Sequence, residues 1–301
     1  MISGSLLGVV FAIFAAACFG ANRAFLSKPL VRSSPRVANY ITAVVGILVA
    51  LVADIVTGQS STILATSLYT VFIFVVVGIL NFGISRILSY VGVKNIGATQ
   101  ASVLSLTQVL YSFIFAVVLI GETLTIETAA GAALIILGAL IIEGRPIAKL
   151  RGGSLKIGII SILLGSIVRG FAPVLIKVGL VHYPFSVSAT LISYLGAMLF
   201  NASLIAPRKA ISGVKALPRT ALLSITAAGV FVVVAQLLRF AALDFASVVL
   251  VAPMTAMEPI FTVLISQVVA KEFEVIHKRT VLSIVLVVLG GMIVSYSSSI
   301  G

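Results

Sequence analysis

The chain has 301 residues; 60% are hydrophobic, 9% are charged, and the net charge is +12. Soluble domains carry roughly 25% charged residues, so this composition excludes a water-soluble globular protein, whose one core would have to hide many apolar helices behind very little polar surface. The surplus of cations does not point to nucleic acid, because lysines and arginines are sorted between loops and no nucleic-acid-binding motif is present.

Ten apolar spans are predicted in chain order, at about 4–24, 37–57, 68–91, 96–120, 125–143, 156–179, 186–206, 219–243, 246–270 and 278–298. Each approaches the roughly 20 residues that cross about 30 Å of hydrocarbon. Lipid offers no partner to an open backbone, so all are expected to be helices. The first reads as a transmembrane helix and not as a signal peptide. No cation precedes its apolar stretch; Arg23, Lys28, Arg32 and Arg36 all follow it. Cys18 lies in this span, where a lone cysteine forms no internal disulfide and no zinc spacing and reads as a packing residue.

The loops set the orientation. Those after spans 1, 3, 5, 7 and 9 carry Arg23, Lys28, Arg32 and Arg36; then Lys94; then Arg145, Lys149, Arg151 and Lys156; then Arg208, Lys209, Lys215 and Arg219; then Lys271, Lys278 and Arg279. The alternate loops are nearly bare, with Lys177 the exception. This asymmetry predicts cytoplasmic basic loops and both termini outside.

The chain also repeats itself at an offset of 150 residues. Gly8 matches Gly158, Gly20 matches Gly170, Gly46 matches Gly196 and Glu122 matches Glu272. Ser105, Gln108 and Ser112 match Thr255, Glu258 and Thr262. A two-residue insertion near His277 then brings LGA (137–139) onto LGG (289–291). An odd number of spans per half inverts the second half, so two inverted five-helix repeats are expected, at 1–148 and 149–301. The fold class is an all-α integral membrane protein whose ten helices surround a central cavity.

Each polar triplet lies on one helix face. Gln108 and Glu258 each sit about twelve residues into a span, or roughly 18 Å, near the midplane. Glu258 is the one acidic residue in the middle of a span. A charge there costs at least about 2.5–3.5 kcal/mol. It persists by facing a watery cavity, by pairing with arginine, or by holding a proton; a substrate or proton site is the reading taken. Arg169 is the deepest cation, thirteen residues into span 6. Arg239 with Gln236, Arg86 with Asn81 and Ser85, and Asn22 are the further candidate lining residues. Arg86 and Arg239 are equally readable as snorkelling to headgroups, and Arg23 is expected to snorkel. Tyr40, Tyr111 and Tyr194 are expected to pack. His182 and His277 fall in loops and no Walker-type phosphate loop is present, so neither triad catalysis nor ATP hydrolysis is expected. No cofactor and no metal site is expected.

Three stretches resemble a known family. FGANRAFLSK (19–28) is similar to a first-helix W-G-x-N motif, with Phe19 in place of tryptophan. AALDFASVVLVAPMTAMEPIFTVLISQVVAKE (241–272) resembles the family's eighth- and ninth-helix signature, with its Glu-Pro pair and closing acid. YVGVKNIGATQASVLSLTQVLYSFIFAVVLIGE (90–122) resembles it again, with Gln108-Val109 at the Glu-Pro position. The family is the EamA-type branch of the drug/metabolite transporter superfamily. The resemblance implies a basket of helices with spans 5 and 10 peripheral, alternating access, and often export of amino acids or related compounds. The chain contains no tryptophan, which argues against an aromatic drug pocket.

The expectation is therefore a secondary active transporter, not an enzyme, in the plasma membrane of a prokaryote. Its substrates are expected to be small polar metabolites, namely amino acids, related zwitterions or organic anions. Export and proton coupling are the expected traits. Glu258 is expected to bind a proton or an amine, and Arg169 a carboxylate or phosphate. Lipids and the substrate are the expected partners of a monomer or homodimer. A sugar-phosphate or nucleotide exchanger, a lipid scramblase and a passive facilitator remain alternatives.

Overall fold

A computed structural model describes residues 4–32, 34–63, 66–96, 101, 104–143, 153–205, 207–269 and 278–300. Among these residues the chain is helical, with no strand. The long helices are α1 (Gly4–Arg32), α2 (Pro35–Val56), α3 (Leu68–Ile96), α4 (Thr107–Ile120), α5 (Ile126–Glu143) and α6 (Gly153–His182). They continue as α7 (Ser186–Leu204), α8 (Arg219–Phe245), α9 (Val248–Thr255), α10 (Glu258–Val269) and α11 (Lys278–Ile300). Among the described residues, seven segments are long and apolar enough to cross a membrane, with α9 and the start of α10 counted as one; Thr107–Ile120, Ile126–Ile141 and Leu282–Ser297 are shorter apolar helices. Large apolar side chains such as Phe72, Val118, Val181 and Met292 stand on the outer surface, as hydrocarbon solvent requires.

Local chemistry sets the element ends. Pro35 opens α2 after an extended Ser34, where its missing N–H costs nothing. Gly121, at φ 67°, closes α4 in the left-handed region that glycine occupies without strain. The predicted spans 96–120 and 246–270 are not uniform helices. The second breaks at Ala256–Met257, between Pro253 and Pro259. Pro259 then sits in the first turn of α10, where no donor is needed. The first turns at Leu106, with no proline nearby. Here the Ser105 hydroxyl donates to the Ala101 carbonyl at 2.6 Å and that of Thr107 to the Leu104 carbonyl at 2.7 Å. Such hydroxyls compete with the helical ladder. The two breaks lie 150 residues apart.

α3 holds a further irregularity, a π-helical segment at Gly78–Ser85. Insertions of this kind often mark functional sites. Gly78 lets α7 come close, since a Cβ there would collide with the Ser193 carbonyl.

The sequence offset reappears as equivalent helix contacts. A Cβ on Gly20 of α1 would lie 2.7 Å from both the Phe261 Cβ and the Thr262 amide of α10. A Cβ on Gly170 of α6 would lie 2.6 Å from the Tyr111 Cβ and 3.0 Å from the Ser112 amide of α4. Phe261 and Thr262 are Tyr111 and Ser112 shifted by 150. In the same way Gly8 meets Ala246 and Gly158 meets Ile96. Small residues that let backbones approach are the usual glue between helices in lipid.

Several polar side chains tie the end away from the basic loops. Glu122 accepts from the Val248 and Val249 amides at 2.8 and 2.9 Å, capping α9. Gln59 accepts from the Val187 and Ser188 amides, and the Ser188 hydroxyl donates to Asp54. The Lys177 ammonium donates to the Leu243 and Ala246 carbonyls, closing α8. Glu272, the repeat partner of Glu122, lies outside the described residues, as do Arg145, Lys149, Lys271 and His277.

Gly20→Val and Gly170→Val each force a branched side chain into an equivalent backbone contact. Each is expected to destabilise the protein by about 1–3 kcal/mol, and the two by similar amounts. Thermal unfolding in detergent checks this; a loss at one glycine only would break the equivalence.

Candidate functional site

The two helix breaks place Glu258 as the first residue of α10 and Gln108 as the second of α4. Both side chains face one cavity. The partial positive charge of a helix N-terminus favours a carboxylate at Glu258. Its carboxylate also forms an ion pair with Arg23 of α1. Both partners are largely shielded, with side chains 15% and 11% exposed.

The π-helical segment brings Asn81 to the cavity, and Arg86 follows directly behind it. The Arg86 guanidinium lies 5.1 Å from the Phe82 ring centre and 5.7 Å from that of Tyr194. One of its nitrogens donates to the Tyr194 hydroxyl at 3.5 Å. Arg169 of α6 donates to the Ser85 hydroxyl at 3.4 Å and to the Ser89 hydroxyl at 2.5 Å. Arg239 of α8 stands 6.0 Å from the Phe19 ring centre. Aromatic faces attract guanidinium groups where little water remains. Asn22 donates to the Ala228 carbonyl at 2.8 Å, which pins α1 to α8.

All eight residues singled out from the sequence line this cavity: Asn22, Asn81, Arg86, Gln108, Arg169, Gln236, Arg239 and Glu258. Arg86 and Arg239 are each 5% exposed and face the cavity, away from headgroups. The expectation that Arg23 snorkels is corrected by its pairing with Glu258. α1 runs on to Arg32, which leaves Arg23 about 13 Å from the helix end. Ser112 and Thr262 serve packing instead, donating to the Gly170 and Glu258 carbonyls. Tyr194 and Tyr111 pack, the latter over Gly170. Ser89 and Tyr90 also line the cavity. Asn81, Ser85 and Ser89 recur every four residues, a polar stripe on one helix face that marks the partners of Arg169.

Residues 150 apart occupy the cavity wall in pairs. Phe19 matches Arg169, Arg86 matches Gln236, and Ser89 matches Arg239; Ser105 matches Thr255, and Gln108 matches Glu258. In no pair are both members charged. The wall holds four arginines and one carboxylate, a surplus of three positive charges.

Several donors lack a protein partner. Nη1 of Arg86, Nε and Nη2 of Arg239, and Nδ2 of Asn81 are buried and unbonded, as are the Gln236 carbonyl oxygen and the Tyr90 hydroxyl. Buried donors left empty cost about 1–3 kcal/mol each, more when charged. Toward the end away from the basic loops, rings pack behind Arg86. Phe82 meets Tyr194 at 4.4 Å and Phe240 at 6.4 Å, and Phe240 meets Phe74 at 6.3 Å. Toward the basic loops the wall continues through Leu26, Val93, Ala101 and Ile162. Among the described residues, no three His, Cys, Asp or Glu side chains gather where they would hold a metal.

The comparisons with known proteins agree with this architecture. The model of the EamA-like transporter family matches residues 6–144 and again 156–296. No curated protein matches the sequence. One solved crystal structure superposes with a TM-score of 0.73 at 17% identity, covering 96% of this chain and 98% of that one. That likeness carries the fold alone.

Glu258→Gln removes the partner of a shielded guanidinium. It is expected to lower stability by about 3 kcal/mol, and Arg23→Gln added to it is expected to restore part of the loss. Unfolding midpoints of the two single variants and the double variant check the coupling; additive losses would mean that the pair contributes nothing.

Proposed function

The chain belongs to the EamA-like transporter family, and on that premise we propose that it carries small organic anions across the membrane by alternating access. It is a multi-pass membrane protein of a transporter family. The observation that carries the anion assignment is the surplus of arginine around one carboxylate, with buried guanidinium donors unbonded. Charge-assisted hydrogen bonds to an oxyanion satisfy such donors, and arginine presents them as a planar fork.

An amino-acid zwitterion suits the wall less well. Its ammonium needs an acidic partner, and Glu258 is held by Arg23. A negative ligand needs no such partner. In this reading Arg86 and Arg239 grip the anion, and Asn81 adds a donor. Arg169, braced by Ser85 and Ser89, supplies field from the facing side. The half-helices that begin at Thr107 and Glu258 direct further positive potential inward. Closing the basic end and parting the Phe82–Tyr194–Phe240 stack would pass the ligand across. The loop charges support a cytoplasmic basic side, so the described state would accept its ligand from the cytoplasm.

Counterflow in proteoliposomes tests the reading, with labelled organic anions and amino acids outside and the unlabelled compound inside. Saturable anion exchange is expected. Arg239→Gln is expected to lower it at least about tenfold, because one charge-assisted hydrogen bond is worth about 1.5–3 kcal/mol. Arg208→Gln, on the short helix Pro207–Lys215 between α7 and α8, is expected to leave it unchanged. Exchange of neutral or cationic compounds only would sink the assignment.

A further inference from the structure

The anion reading leaves open which anion, and the wall of the cavity narrows the choice. The unbonded donors belong to one cavity: Asn81, Arg86 and Arg239 all stand on its wall. Arg86 bonds the Tyr194 hydroxyl. Asn81 is on the π-helical segment just before Arg86. Four buried N–H-bearing atoms therefore await a ligand in one region, against one unbonded carbonyl oxygen, that of Gln236, and one hydroxyl, that of Tyr90. The residues that bear them are 4–6% exposed.

A single carboxylate brings one charge and two oxygens to this surplus of three cations. A dicarboxylate brings two charges, but separates them along its chain. A phosphate monoester brings a charge of about −1.5 to −2 and three acceptor oxygens at one point. Size narrows the ligand further. The cavity is small, about 80 Å³, which favours phosphate or an ester of a few carbons.

The same charge limits the transport cycle. Alternating access passes through a closed state in which water is expelled. Four guanidiniums enclosed with a single carboxylate and no ligand repel one another in low dielectric, where such repulsion is far stronger than in water. A bound dianion cancels most of that surplus. Only the loaded protein then closes readily.

Resting on the anion-carrier reading, we propose that the cavity takes a compact phosphate compound, held at its phosphoryl group by Arg86, Arg239 and Asn81, and that the protein is a strict exchanger of such compounds. The Gln236 carbonyl and the Tyr90 hydroxyl face the remainder of the ligand, where they suit its hydroxyl groups.

The experiment uses purified full-length protein in liposomes, with labelled inorganic phosphate and labelled glycerol phosphate as probes. Succinate and alanine are the comparison compounds. Vesicles contain either phosphate or chloride alone. Uptake into phosphate-loaded vesicles is expected to exceed uptake into chloride-only vesicles at least tenfold. Glycerol phosphate is expected to compete, and succinate at equal concentration is not. Arg86→Gln and Arg239→Gln are expected to lower the exchange at least tenfold, with Arg239→Lys falling between. The comparison of loaded and chloride-only vesicles uses the unaltered protein, so it stands even where a variant fails to fold. Equal uptake into both kinds of vesicle overturns strict exchange. Exchange of succinate but of neither phosphate compound overturns the phosphoryl assignment and leaves the anion carrier standing. Exchange of alanine alone, or of no compound, overturns both.

Discussion

Four guanidinium groups around one carboxylate, between helices that face lipid, form a cluster that bulk water would dissolve and hydrocarbon would expel. Much of the surrounding structure can be read as what holds it. Ser85 and Ser89 take the Arg169 donors, the Phe82 and Tyr194 rings back Arg86, and Phe19 backs Arg239. Glu258 meets Arg23 and sits at a helix N-terminus, two favourable terms for one charge. These supports are incomplete, since Arg86, Arg239 and Asn81 keep unbonded donors. A fully satisfied cluster would be a structural staple. A partly satisfied one, beside open space, is the arrangement on which the proposed anion site rests.

The two halves share a scaffold and divide the chemistry. Packing contacts obey the repeat: Gly20 and Gly170 sit in equivalent notches, and both crossing segments break at matching positions. Matching breaks serve a repeat well, because each half then offers a half-helix start to the shared cavity. They also fall next to Ser105, Gln108, Thr255 and Glu258, which line the cavity, and irregular backbone at membrane depth is tolerated beside a cavity and not against lipid.

Much of this was legible in the sequence. The offset of 150 and the polar triplets located the repeat, and all eight candidate lining residues do share one wall. Two features were hidden for definable reasons. Hydropathy ends the first span near residue 24, but α1 continues to Arg32, so Arg23 lies inside a helix and turns to Glu258. The break at Leu106 carries no proline or glycine signal; hydroxyl groups on either side supply it, and their effect depends on rotamers that a pattern does not specify. The partners of Arg169 were half visible. The stripe of Asn81, Ser85 and Ser89 has helical spacing, but only the approach of α6 to α3 gives it a purpose.

Electrostatics also explains why the symmetry stops where it does. Arg86 and Gln236 hold matching positions, as do Ser89 and Arg239, and Phe19 and Arg169. A strictly duplicated wall would place arginine at both members of each pair. Three more cations would then share one small cavity, with only one further carboxylate, at position 108, to offset them. Each pair instead sets one cation against a neutral group. Ser89 accepts from Arg169, and the Phe19 ring lies beneath Arg239. In two of the three pairs the neutral member thus supports the cation of the other pair. Duplication supplied the frame, and the energetic cost of crowded like charges in low dielectric limits how far the side chains can follow it.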